Sequence, residues 1–299
     1  MATIIDGKAI AATIRREVAS EFSDLRRRFP DAIPPNLSVV TVGERADSLT
    51  YVRLKRAAAA EVGIQSVAIS LPDSVSQTKL ERTIAALDSD EHVHGILVQL
   101  PLPSHIDRSE ALDAVSAAKD VDGIHPSNFG CLTAHRRAPL FAPCTPLGVM
   151  ELLRRSGIEL AGREAVVVGR SGIVGVPMAH MLMAADATVT MCHSSTRDLA
   201  ASVRRADVVV AAAGVPKLIR GDWIKPGAAV IDVGTTPVQS ATAKGGYRLA
   251  GDCVFDEVQQ VAGHVTPVPG GVGPMTIAML LRNTLVGYKR ALVRAGCAL

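Results

Sequence analysis

Tyr51 and Lys55 stand four apart in ADSLTYVRLKRAAAAEVGI. On a helix that spacing puts both side chains on one face. A lysine there can move protons if burial and a neighbouring cation lower its pKa toward neutrality. On an ordinary surface helix the same pair would be a snorkelling lysine beside a tyrosine. Gln99 closes the apolar run GILVQLPLP, and Asp122 precedes Gly123 in KDVDGIHPSNFG. Alone, the first is a strand-end polar residue and the second a turn-forming aspartate. Thr266 to Thr276, TPVPGGVGPMT, is saturated with proline and glycine and almost uncharged. Its glycines, lacking Cβ, can bring bare backbone against a flat ligand. His92 and His94 have no further candidate ligands nearby, so outward histidines at a strand start are expected rather than a metal pair, and no metal site is expected.

A second group is nucleotide-like. Gly169, Gly172 and Gly175 in VVVGRSGIVGVPM follow an apolar run, with Pro177 in the first turn of the helix that they open. The three-and-three spacing differs from the usual dinucleotide fingerprint, but free N–H groups at that helix start would face a pyrophosphate. The next strand ends in Cys192-His193-Ser194-Ser195-Thr196-Arg197, without a carboxylate for a ribose 2′-hydroxyl. Hydroxyls, basic groups and Arg170 there suit a 2′-phosphate, so NADP is expected in preference to NAD.

These residues need a scaffold. The chain has 299 residues, is 48% hydrophobic and 3% aromatic, and carries a net charge of +3. That size favours two domains, and the abundance of branched residues favours α/β. Basic pairs are scattered rather than gathered into a stripe, so a nucleic-acid surface is not expected. Five cysteines without CxxC spacing imply neither a disulfide framework nor zinc, and fit a reducing compartment. With no apolar run of membrane length, a cytoplasmic protein is expected. Helices are expected over residues 10–29, about 47–61 (capped by Asp47 or Ser48), 78–87, 108–118, 147–156, 177–184 and 276–295. Strands are expected over 36–42, 67–71, 94–99, 165–168, 187–192, 207–211 and 228–233. Residues 239–246 read as a surface loop. The alternation implies βαβ units and a mostly parallel sheet.

Taken in order, the segments quoted above, with FAPCTP at Phe141 to Pro146, resemble the bifunctional methylenetetrahydrofolate dehydrogenase/methenyltetrahydrofolate cyclohydrolases of the FolD type. The resemblance covers nearly the whole chain. It implies an α/β catalytic domain of residues 1–145 and 276–299, completed by the C-terminal helix, and a Rossmann-like NADP-binding domain of 146–275. It further implies oxidation of a folate methylene bridge by NADP, hydrolysis of the methenyl product to 10-formyltetrahydrofolate, and a homodimer.

By the same resemblance Lys55 handles protons, Gln99 holds Lys55 in place, Tyr51 packs on the folate, and Asp122 accepts N–H bonds from the pterin. Ser48, Leu100, Pro269 and Gly273 would line the folate, while Gly169, Arg170, Ser171, Gly175, Ser194 and Thr235 would contact the cofactor. Gly172, Val176 and the DVGTT of residues 232–236 depart from the family's commoner residues. These departures bear on cofactor preference rather than on folate chemistry. Two alternatives remain: a dehydrogenase without useful cyclohydrolase activity, and an NADP-binding regulatory protein without turnover.

Overall fold

The structure, a computed structural model, describes residues 1–134, 137–239 and 246–299, with the side chains of 46–48 outside the description. The first half runs β1 (Thr3–Ile4), α1 (Gly7–Arg28), β2 (Asn36–Val42), α2 (Ala46–Glu61), β3 (Gln65–Leu71), α3 (Gln77–Ser89), β4 (Gly95–Val98), α4 (Arg108–Asp113) and α5 (Pro126–Thr133). The second runs α6 (Cys144–Arg155), β5 (Glu164–Val168), α7 (Gly175–Ala184), β6 (Thr188–Cys192), α8 (Leu199–Arg204), β7 (Val208–Ala211), β8 (Ala229–Asp232), β9 (Thr236–Gln239), β10 (Tyr247–Ala250), α9 (Phe255–Val261), β11 (His264–Val265) and α10 (Val272–Arg294).

Contacts divide the chain into two compact units. One is residues 12–144 with 277–299, and the other is residues 1–11 with 145–276. The expected division places the first eleven residues with the hundred or so that follow them. Instead β1 pairs in parallel with β11, Thr3 opposite His264.

In the unit of residues 12–144 and 277–299, a parallel sheet has the order β3-β2-β4. Almost every residue of β2 is buried, as expected of a central parallel strand of branched residues, whereas β3 at the edge is half open. Val40, Val42, Leu80, Ile84, Ile96 and Val98 form its core. A parallel bridge between Ile96 and Asp120 lays the turn after α4 beside β4. In the other unit, six parallel strands run β1-β11-β8-β7-β5-β6, and the antiparallel pair β9–β10 stands apart. β5 is flanked by β6 on one side and β7 on the other, which is the switch point where ligands lie across strand ends in such sheets.

Several expected boundaries shift. Helix α2 starts at Ala46 with Arg45 at its N-cap position, ahead of the expected Asp47 or Ser48, whose side chains lie outside the description. Helix α4 stops at Asp113 instead of reaching Ala118, and the residues after it form turns. Helix α10 begins at Val272, making Gly273 and Pro274 part of its first turn rather than of the preceding loop. A proline is well accommodated there, because its missing N–H has no intrahelical acceptor to lose. The expected loop at 239–246 joins β9 to β10, with residues 240–245 outside the described residues.

Candidate active site

Burial dominates the first cluster. Helix α2 carries Tyr51, which is 40% exposed, and one turn later Lys55, which is half-buried with its amine enclosed. The Lys55 Nζ donates to Gln99 Oε1 at 2.9 Å. The Gln99 Nε2 donates to the Leu100 carbonyl at 2.7 Å, which turns the amide oxygen toward the lysine. Gln99 is itself fixed by its backbone N–H, bonded to Val40 O at 2.8 Å at the end of the sheet. Desolvation lowers the Lys55 pKa, and Asp122 and Cys144 counteract that by favouring its cation. An amine so placed can exchange a proton at lower cost than a solvated lysine.

Asp122 lies on a turn held from both sides. Cys144 N–H donates to the Asp122 carbonyl at 3.2 Å, and Asn283 Nδ2 donates to Val121 O at 2.8 Å and Ala142 O at 3.0 Å. Gly123 has φ +75°, and a Cβ there would come within 2.5 Å of Ala142 O, so only glycine fits the turn. Burial pushes the Cys144 thiol well above its usual range, with Asp122 adding to the effect. Cys144 is therefore a buried, protonated neighbour rather than a nucleophile.

Of the residues expected around one ligand, Tyr51, Lys55, Gln99, Leu100 and Asp122 thus belong to one unit. The side chain of Ser48 lies outside the description. Pro269 and Gly273 belong to the other unit. There the glycines of the Pro-Gly stretch divide in purpose. Gly270 has φ +111°, and a Cβ on Gly271 would meet Pro267 O at 2.7 Å, so both serve the chain's own packing. A Cβ on Gly273 would meet nothing within 4 Å, leaving that face open.

The second cluster lies at the carboxyl ends of the six-stranded sheet. Gly169 has φ +127°, and a Cβ there would meet Ala212 O at 2.1 Å, while one on Gly175 would meet Gly169 O at 2.2 Å. These two glycines close the turn. Gly172 is open, since a Cβ on it would meet nothing within 4 Å. Ser171 Oγ accepts from the N–H groups of Val174 and Gly175, so its side chain organises the start of α7. Arg170, Ser194, Ser195, Arg197 and Thr235 are exposed around these strand ends. The nearby carboxylate, Asp198, is engaged as the α8 cap by Ala201 N–H at 2.8 Å.

Buried polar residues to which the sequence assigns no role support both clusters. Asp252 Oδ2 accepts from Ala213 and Gly214 N–H at 2.6 and 2.9 Å, and Asp232 accepts from Gly234, Asp252 and Cys253 N–H. They fix the loops after β7 and β8. Apart from Gly234, these partners lie 20 or more positions away, so no local pattern marks them. Asp120, Asn128 and Asn283 do the same around Asp122, and Pro126 at a helix start is the one local signal for α5. His94 also departs from expectation. It is 5% exposed rather than outward, accepts from Asn36 N–H at 3.1 Å, and packs edge-on against Tyr288 at 5.0 Å. A groove of about 820 Å³ lies at that opposite end of β4, lined by His94, Lys119 and Tyr288. Lys119 already donates to Leu87 O and Asp90 O. None of Tyr51, Lys55, Gln99 or Asp122 lines this groove. All five cysteines are free, and among the described residues no group of three or more His, Cys, Asp or Glu could hold a metal. No helix among the described residues is long and apolar enough to cross a membrane.

Two α/β units, one with an enclosed lysine–glutamine pair and one with a glycine turn at the switch point of a parallel sheet, define a two-domain dehydrogenase architecture. Residues 5–122 match the family described as tetrahydrofolate dehydrogenase/cyclohydrolase, catalytic domain, and residues 143–292 match its NAD(P)-binding domain. The chain belongs to this tetrahydrofolate dehydrogenase/cyclohydrolase family. It is 57% identical over 289 residues to bifunctional protein FolD 2 of Arabidopsis thaliana, covering 97% of this chain and 96% of that protein. It is 53% identical over 292 residues to bifunctional protein FolD of Pelobacter propionicus, covering 98% and 99%. Among solved structures, Trypanosoma brucei methylenetetrahydrofolate dehydrogenase-cyclohydrolase, complexed with NADP cofactor and inhibitor, superposes with a TM-score of 0.94 at 50% identity, covering 97% of this chain and 98% of that one.

Proposed function

We infer that the chain oxidises 5,10-methylenetetrahydrofolate with NADP to 5,10-methenyltetrahydrofolate and hydrolyses that product to 10-formyltetrahydrofolate. The observation that carries this reading is the enclosed Lys55 amine, 2.9 Å from Gln99 Oε1 and under the charge of Asp122. Asp122 accepts N–H bonds from the pterin and so orients it. Tyr51, with 40% of its surface exposed, offers a flat face for the folate to pack on. Leu100, next to Gln99, lines the folate on the same unit. Lys55 takes a proton from the water that adds to the methenyl carbon and returns one to the ring nitrogen that leaves. Burial tunes the amine for both directions of transfer, and Gln99 keeps it aimed.

The glycine turn fits a dinucleotide. The opening at Gly172 leaves room for a pyrophosphate against the backbone. Arg170 and Ser194 would hold a 2′-phosphate, Thr235 would meet the nicotinamide half, and Ser171 would shape the turn between Gly169 and Gly175. Bound NADP supplies the hydride acceptor. The folate site falls in the unit of residues 12–144 and 277–299, and the nucleotide site in that of 145–276. A homodimer in a reducing, cytoplasmic compartment is the corresponding assembly, tested by sedimentation of the purified protein.

The deciding experiment is an absorbance time course with 5,10-methylenetetrahydrofolate and NADP. NADPH formation with little methenyl build-up is the expected result. NADPH formation with methenyl accumulation would leave a dehydrogenase alone, and no reaction with either NADP or NAD would refute the enzymatic reading.

A further inference from the structure

Asp120 and Asn128 are 3% and 1% exposed, and neither belongs to the site just described. Three donors converge on the two oxygens of Asp120. Gly123 N–H meets Oδ1 at 3.1 Å, while His125 N–H and Asn128 Nδ2 meet Oδ2 at 2.8 and 3.0 Å. Asn128 in turn accepts from Leu140 and Phe141 N–H on its Oδ1, at 3.0 and 3.3 Å. An amide at position 120 would present one acceptor oxygen instead of two and would turn its own N–H groups toward donors. An apolar residue would leave the Gly123 and His125 N–H groups buried without partners.

The backbone on either side of Asp122 is tied at each step. Val121 O accepts from Asn283 and from the Cys144 thiol, Asp122 O accepts from Cys144 N–H, and Gly123 N–H donates to Asp120. A turn that needed only to reverse the chain would be satisfied by its own Gly123 N–H to Asp120 O bond at 3.1 Å. The extra buried ties restrict the direction in which the Asp122 side chain leaves the turn.

We propose that Asp120, oriented by Asn128, is a positioning residue for folate binding, holding the turn that presents Asp122. This rests on the reading of Asp122 as the folate-binding carboxylate. The ionised form of Asp120 accepts best from all three donors, because protonation makes one oxygen an O–H donor and a weaker acceptor. Burial pushes its carboxyl up to about 7, with the adjacent Asp122 contributing, while the donated bonds oppose the rise. The titratable groups around it are Asp122 on its own turn, His125 at the head of α5 and Cys144 at the head of α6. Acidification through the Asp120 pKa replaces an acceptor by a donor and loosens the turn.

The test compares Asp120→Asn, Asn128→Asp and Asp122→Asn in the dehydrogenase assay across pH, with thermal melting and NADP affinity as the checks on folding of the two units. Asp120→Asn should raise the folate KM about tenfold or more and leave the NADP Kd within about twofold. Asn128→Asp retains the acceptor for Leu140 and Phe141 but sets a second carboxylate against Asp120. It should move the acid limb of kcat/KM upward by about one pH unit. Should Asp120→Asn lose NADP binding, the limb of Asn128→Asp decides alone. A raised KM in Asp122→Asn, with KM and limb unchanged in the other two, would overturn the positioning role and leave the Asp122 reading standing. An unchanged KM in Asp122→Asn would overturn both.

Discussion

Replacing Lys55 by methionine separates the two proposed activities. Methionine fills similar space without a charge or a donor. Gln99 Oε1 loses its 2.9 Å partner, a loss of about 1.5–3 kcal/mol for one bond from a charged donor. Removing an enclosed cation offsets part of that loss, because burial works against the charged amine. Folding stability should therefore change by no more than about 2 kcal/mol. Hydration and ring opening need a proton taken and given, and a positioned acid–base group contributes about 10²–10⁴ in rate. At about 1.4 kcal/mol per decade, that is about 3–5 kcal/mol of barrier, far above any loss from loosened packing. Hydride transfer needs no proton from Lys55, so its kcat should fall by less than about tenfold, the share expected from one lost orienting contact. Following NADPH and the methenyl cation together by absorbance should show NADPH forming while methenyl persists. A parallel loss of both activities would refute the assigned role and make Lys55 a general folate-binding residue.

His94 should make stability pH-dependent. Burial, aided by Lys119, lowers its pKa from 6.5 to about 4, so the unfolded chain binds more protons between those values and stability falls as pH drops through that window. The full effect is on the order of 3 kcal/mol, and urea midpoints at several pH values should show it shrinking in His94→Asn, which retains an acceptor for Asn36. Gly175→Ala would drive a methyl to 2.2 Å from Gly169 O and should prevent folding of that unit, whereas Gly172→Ala meets nothing within 4 Å and should change thermal stability little. Equal melting temperatures for the two would contradict the packing described. Arg170→Ala with Ser194→Ala should weaken NADP at least about tenfold and leave NAD nearly unchanged, since removing a charge-assisted contact affects only the 2′-phosphate. Equal weakening of both nucleotides in a titration would place that phosphate elsewhere.

Local chemistry made much of this legible in advance. The branched run at 36–42 became the buried central strand β2, because such residues pack on both faces of a parallel sheet. The four-residue spacing of Tyr51 and Lys55 placed them on one helix face, and the glycines between the apolar run and α7 marked a turn in which Gly169 and Gly175 admit no Cβ. The long resemblance added the roles of Gln99 and Asp122, which are ambiguous as isolated residues.

Other features depend on contacts between distant segments. Asn283 lies 162 positions from the Val121 carbonyl that it holds, and Asp252 lies 38 from Gly214. Periodicity cannot report such pairings, because hydrogen-bond partners brought together by folding leave no local spacing. The inward turn of His94 was hidden for a similar reason: Tyr288, the ring it packs on, comes from the last helix. The composition and order of residues set the helices, the strands and the two glycine-dependent turns. Tertiary packing decided which ordinary polar residues became buried acceptors, since only burial removes water as their partner and makes each hydrogen bond count.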